Sequence, residues 1–252
     1  MNEPLTLTED SYRALASSSP WRWRTLHFTS SDWNAEAWVR RPGQMVVRFR
    51  GELGDHSETG GPAFRYIGDT RPTLRPDGLV LGRAPRWPEQ DADDGALLEQ
   101  DDPMFQSYTW VAMLDPIELA SGTVIADLAE SELRGRRTWW ATVSEADGYE
   151  PRCVCCALLW GEITDRANAE GLGEEFVPEP GGYPDGHRIG LDVQTGVLVS
   201  ICSVGQVTAP PKFEVTIHEV DGPVDVIDEV QKRGSERAVH SRGQRGSGWS
   251  PY

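Results

Sequence analysis

The chain has 252 residues, enough for one large domain or two small ones, and its 40 acidic and 24 basic side chains give a formal charge of −16. Leu, Ile, Val and Phe make up only about a fifth of it, close to the composition of disordered chains, but ten tryptophans require a folded core rich in aromatics. An acidic body without a basic face excludes nucleic acid as its partner, and no apolar run is long enough to span a membrane.

Residues 1–19 read as a polar lead without the apolar stretch of a signal peptide, so the expected location is the cytoplasm, where the four cysteines default to thiols. From Trp21 to Phe28, Trp21, Trp23 and Thr25 alternate with Arg22 and Arg24, the period of a half-buried strand. A second alternating run ends at Trp38-Val39-Arg40, and Arg41-Pro42-Gly43 carries a turn signature. Met45, Val47 and Phe49 then alternate with polar neighbours, so the two runs predict an antiparallel pair. Short strands are expected at Phe64 to Ile67 and at Leu79 to Leu81. Glu89 to Asp102 holds seven acids and no base, and reads as a solvated loop.

Asp102 as N-cap and Pro103 at the first helical position predict a helix over 103–121, with Phe105, Tyr108, Val111 and Ala112 on one face and a restart at Asp115-Pro116. From Thr123 onward the pattern is a strand meander. Val124, Ala126 and Leu128 form one alternating set and Trp139, Ala141 and Val143 another, which puts Trp140 on the face opposite Trp139. Ile189 to Val193 and Val197 to Ile201 flank a hairpin loop in which Gly196 suits a left-handed position, and Phe213, Val215 and Ile217 follow. Residues 231–252 are basic, rich in Gly and Ser, and expected to be disordered.

These elements predict an α+β fold: a strongly curved antiparallel β half-barrel wrapped around one or two helices, with one domain over 20–230. The order of Trp38-Val39-Arg40-Arg41-Pro42-Gly43, Asp115-Pro116-Ile117-Glu118-Leu119, Leu133-Arg134-Gly135-Arg136-Arg137-Thr138-Trp139 and Ile189-Gly190-Leu191-Asp192-Val193-Gln194-Thr195-Gly196-Val197-Leu198 resembles the lipoprotein-carrier superfamily, LolA/LppX-like, over roughly residues 20 to 220. The resemblance implies an unclosed half-barrel with an apolar concave face plugged by helices. The insert Tyr149-Glu150-Pro151-Arg152-Cys153-Val154-Cys155-Cys156 is foreign to those carriers and resembles instead a branch of uncharacterised actinobacterial proteins.

Two functions follow. The first is a non-catalytic cytoplasmic binding module that holds an apolar small molecule, a lipid or a partner protein segment in the concave face, with Trp38, Trp110 and Trp139 as its lining. The second is a zinc- or thiol-dependent regulator or enzyme centred on Cys153, Cys155 and Cys156, a cluster that reads as structural thiols or a local disulfide, or as a C-x-x-C pair that can hold zinc or cycle as a dithiol. Zinc needs about four ligands, and Cys202, His187 and His218 are the residues able to complete the set by folding. The first reading requires no cofactor; zinc enters only with the second. Catalysis finds little support: His218-Glu219 lacks the second histidine of a zincin helix, and no nucleophile elbow, phosphate loop or dinucleotide fingerprint occurs.

Overall fold

The computed structural model describes residues 4–41, 43–49, 55–56, 72–82, 102–151, 153–205 and 213–232. In chain order it contains α1 (Glu9–Arg22), β1 (Thr25–Ser30), β2 (Ala35–Arg40), β3 (Gln44–Phe49), β4 (Asp55–His56), β5 (Thr73–Leu74) and β6 (Val80–Gly82). These are followed by α2 (Tyr108–Leu114), β7 (Thr123–Leu133), β8 (Arg136–Glu145), α3 (Glu162–Leu172), β9 (Gly186–Asp192), β10 (Leu198–Val204) and β11 (Phe213–Val220).

Among the described residues, nine strands form one antiparallel sheet in the order β4-β3-β2-β1-β11-β10-β9-β8-β7. The sheet is open, with β4 and β7 at its edges, so the fold is α+β with a large antiparallel sheet. β1 to β4 and β7 to β11 run as neighbours in sequence order, β11 returns beside β1 to join the two sets, and β5 and β6 form a separate hairpin. The β7–β8 hairpin turns on Arg134 and Gly135, both at positive φ, as a two-residue connection requires. Gly196 has φ 72°, and a Cβ there would stand 2.8 Å from the Leu15 carbonyl oxygen of α1.

Alternation in β1, β2 and β8 gives the sheet an apolar face. Leu26 and Phe28 of β1, Ala37 and Val39 of β2, Trp139, Ala141 and Val143 of β8, and Ile189 and Leu191 of β9 are buried on it in a single core. α1 and α2 supply Tyr12, Leu15, Trp110, Met113 and Leu114 to the same core. On the other face Trp38 stacks on His27 with ring centroids 4.8 Å apart, and a helical segment over 225–232 packs Ile227 against Val46.

Several expectations are corrected. The polar lead is largely helix: Thr8 caps α1 in a reciprocal box with Ser11, Glu9 and Asp10 sit in the first turn, and Tyr12 and Leu15 are buried. Trp21 and Arg22 therefore end a helix, and the strand begins only at Thr25. The helix expected over 103–121 shrinks to α2 and a 3₁₀ turn at Ile117–Leu119, with Ser107 as N-cap of α2. Asp102 does not cap it because its carboxylate is taken by Arg41, at 2.8 Å to Nε and 2.6 Å to Nη2. Leu79 to Leu81 lies in the β5–β6 hairpin, whereas Phe64 to Ile67, the run from Glu89 to Asp101 and the tail beyond Lys232 lie outside the described residues.

Arg41 also donates to Ser19 O at 2.5 Å and lies over the Trp23 ring at 3.3 Å, with its side chain only 12% exposed and that of Asp102 only 6%. Removing the carboxylate strands a buried guanidinium. In chemical denaturation Asp102→Ala is expected to lose about 3 to 5 kcal/mol. A loss below about 1 kcal/mol would reduce the pair to an ordinary surface contact.

Candidate metal centre

The cysteine loop runs from Gly148 to Trp160 between β8 and α3. Pro151 precedes the cluster, and Val154–Cys156 forms a 3₁₀ turn closed by Cys156 N–H donating to Cys153 O at 3.2 Å. Side chains three apart eclipse in such a turn, so Cys153 and Cys156 share one side with Cys155 beside them. The three sulfurs lie within 4.8 Å of one another: Cys153 Sγ is 3.0 Å from Cys155 Sγ, which is 4.0 Å from Cys156 Sγ. Cys155 is exposed, and the other two are half-buried.

A buried carboxylate fixes this loop. Glu118, in the 3₁₀ turn after α2, accepts from Tyr149 Oη at 2.8 Å and from Leu158 N–H at 2.8 Å, gripping the chain on both sides of the cysteines. Burial first, and then the Glu118 charge, hold the Tyr149 hydroxyl far above its ordinary range. The hydroxyl therefore remains a donor. Thr109 Oγ1 of α2 donates to Cys156 O at 2.8 Å, a third tie. Beyond the loop, Glu145 accepts from Ile163 N–H at 3.0 Å, from Thr164 N–H at 3.2 Å and from the Thr164 hydroxyl, so it serves as the N-terminal cap of α3. Burial raises the Glu145 carboxyl despite these bonds.

The thiols are not equivalent. Burial opposes ionisation of Cys153, but hydrogen bonds from the Cys155 and Cys156 thiols and from the turn's backbone outweigh it and lower its titration. Cys155 is raised by its hydrogen bond to Cys153 and by burial, and Cys156 is pushed up to about 12 by burial and by Cys153. The arrangement is one favoured thiolate with two donors beside it. Zinc–sulfur bonds of about 2.3 Å in a tetrahedron set sulfurs about 3.8 Å apart, a spacing that the separations here bracket. The cluster can hold a metal ion.

Of the four cysteines expected as ligands, Cys202 is the one that stands apart. It registers with Arg188 across the β9–β10 ladder, whereas His187 registers with Ser203, so alternation puts Cys202 on the outer face and His187 on the core face. His187 takes Trp160 N–H at 3.5 Å on Nε2, and its Nδ1 has no partner among the described residues. His218 lies 2.9 Å from Thr29 Oγ1 and beside His27 on the outer face. Neither histidine completes the set.

The three tryptophans do not converge either. Trp110 and Trp139 are both 0% exposed in the core, whereas Trp38 occupies the other face. Trp110 packs on Phe28, Trp33 and Phe105 at centroid distances of 5.1, 5.2 and 5.1 Å, so its surroundings are side chains of the chain itself. A surface groove of about 600 Å³ lies elsewhere, between α1 and β6, with Arg13, Arg75, Asp10 and Leu81 among its lining. Glu118, Tyr149 and Thr109 are the residues that sequence reading missed, because nothing in their local pattern marks a carboxylate for burial. Comparison with protein-family models, with curated proteins and with solved structures found no match.

Two measurements test this geometry. Glu118→Ala unpairs two buried donors and is expected to lower stability by on the order of 3 kcal/mol, with early loss of hydrogen-exchange protection at Leu158. His187 titrates at about 4 in the fold against 6.5 for an ordinary histidine because burial disfavours its charged form. As pH falls from about 6.5 toward about 4 the unfolded chain takes up this proton and the folded one resists it, so stability declines across that window by on the order of 3 kcal/mol. Unfolding free energies of parent and His187→Gln measured through that window are expected to show a flatter profile for the variant.

Proposed function

We propose that the protein is a non-catalytic module that binds a thiophilic ion through Cys153, Cys155 and Cys156. The observation that carries this reading is the set of three sulfurs within 4.8 Å of one another on a loop that a buried carboxylate holds in place. The reading is supported by the burial of Trp110 and Trp139, both 0% exposed and packed among side chains of the core. The large antiparallel sheet, whose sequence resembles the lipoprotein carriers, serves in this reading as the scaffold that presents the loop. Reduced thiols require a reducing compartment, which favours a cytoplasmic setting; among the described residues no helix is long and apolar enough to cross a membrane.

Structural zinc sites close around four protein ligands, whereas a site with three leaves a position open. The proposed module therefore exchanges its ion and does not depend on it to fold. Reduced protein loaded in turn with zinc and with cadmium, then desalted, is expected to retain one ion per chain by elemental analysis. Chelation is expected to lower the midpoint of thermal unfolding without unfolding the chain at room temperature. Cys155→Ser should lose the ion and Cys202→Ser should keep it. Retention that survives the loss of Cys155, or no retention of either metal, would overturn the metal-ion reading.

A further inference from the structure

We propose, resting on the thiol-site reading above, that the ion best matched to Cys153, Cys155 and Cys156 is trivalent arsenic, captured from arsenous acid as a neutral three-sulfur adduct. The first ground is coordination number. Among the described residues the ligand group contains three sulfurs and no carboxylate or imidazole, and the side chains weighed above as a fourth ligand stand apart from it: Cys202 and His218 on the outer sheet face and His187 in the core. Zinc is most stable with four ligands. Trivalent arsenic takes three in a pyramid, and its lone pair fills the remaining direction. Here that direction can face solvent, because Cys155 is exposed.

The second ground is charge. The thiols interact with one another and with backbone groups of their own turn and of Tyr108, and among the described residues no hydrogen bond joins an Arg, Lys or His side chain to them. Three thiolates around a dication keep a net negative charge, in a protein whose own formal charge is −16. Three thiolates around arsenic(III) are neutral and need no such partner. The third ground is the spacing. Sulfurs 3.0 and 4.0 Å apart on one short turn are already gathered onto one face, as a pyramidal centre requires.

The uptake step balances without a further reagent. Each thiol sulfur forms a bond to arsenic, each arsenic–oxygen bond breaks, and each thiol proton leaves with a hydroxide as water. One As(OH)₃ and three thiols give one tris-thiolate adduct and three waters, and no atom changes oxidation state.

The test is titration of the reduced 252-residue chain with sodium arsenite under nitrogen, read by native mass spectrometry and near-ultraviolet sulfur-to-arsenic absorption, with zinc as competitor. The expected result is one arsenic per chain with the loss of three hydrogens, a Cys202 that still alkylates, and displacement of zinc by arsenite. Cys153→Ser, Cys155→Ser and Cys156→Ser should each weaken arsenite binding by at least an order of magnitude, and Cys202→Ser should leave it unchanged. Circular dichroism confirms that each variant compared is folded. Arsenic held by only two thiols, or displaced by zinc, would overturn this inference and leave the metal-ion reading standing. Failure of arsenite, zinc and cadmium alike would remove both.

Discussion

The Arg41 guanidinium joins the pieces that cover the core. It reaches from just beyond β2 to bind Asp102 through two hydrogen bonds, Ser19 O near the end of α1 and Leu114 O at the end of α2, at 3.4 Å in the last case, and it lies flat on Trp23. Two helix C-termini present carbonyls without intrahelical partners, and a cation placed between them satisfies both and opposes their dipoles. An arginine suits this position where a lysine would not, because its planar fork binds a carboxylate with two donors while its face stacks on an aromatic ring. Arg41 thus ties α1, α2 and Asp102 together at one point beside the apolar face, in addition to the packing of both helices in the core.

α2 carries that constraint to the thiols. It is only seven residues long, with Leu114 at one end against Arg41 and Thr109 at the other tied to Cys156 O. The 3₁₀ turn that follows supplies Glu118, which grips Tyr149 and Leu158. Cys153, Cys155 and Cys156 are thus positioned by backbone and carboxylate contacts that use none of their own sulfurs. A site built this way keeps its geometry when empty, so less conformational entropy is lost when an ion binds.

The alternation of β3, β8 and β9 was legible, and Trp139 and Trp140 take opposite faces as expected. β2 instead turns Ala37 and Val39 to the core and Trp38 to the other face, and the alternating Trp21 and Arg22 end a helix. α1 was not legible because its buried face includes Ser11, Ser18 and Ser19, small polar residues chosen for close approach and for hydrogen bonds to Val80 N–H and Leu114 O. Such a stripe has no apolar period to detect. Asp102 was misread for a related reason: Asp before Pro is a sound local cap signal, and a buried arginine distant in sequence overrode it. The cysteine cluster was legible as spacing, and the separation of Cys202 from it was not, since that depends on which face of β10 each residue takes.

The surplus of acids has two different uses. Asp102, Glu118 and Asp192 are buried and each organises a junction; Asp192, for example, binds Arg136 through both oxygens and accepts from Thr195 N–H and Oγ1 to shape the β9–β10 turn. Among the described residues the other acids, Asp115 excepted, are exposed or half-buried, and such acids attract divalent cations of every kind without discrimination. At physiological ionic strength that attraction is screened over about 8 Å. It raises the local cation concentration and selects nothing. An uncharged species such as arsenous acid is indifferent to this field and is recognised only by the bonds it forms. For the proposed site, selectivity in so acidic a protein would therefore come from sulfur, and among the described residues the sulfur ligands that stand together are on the loop that Glu118 holds.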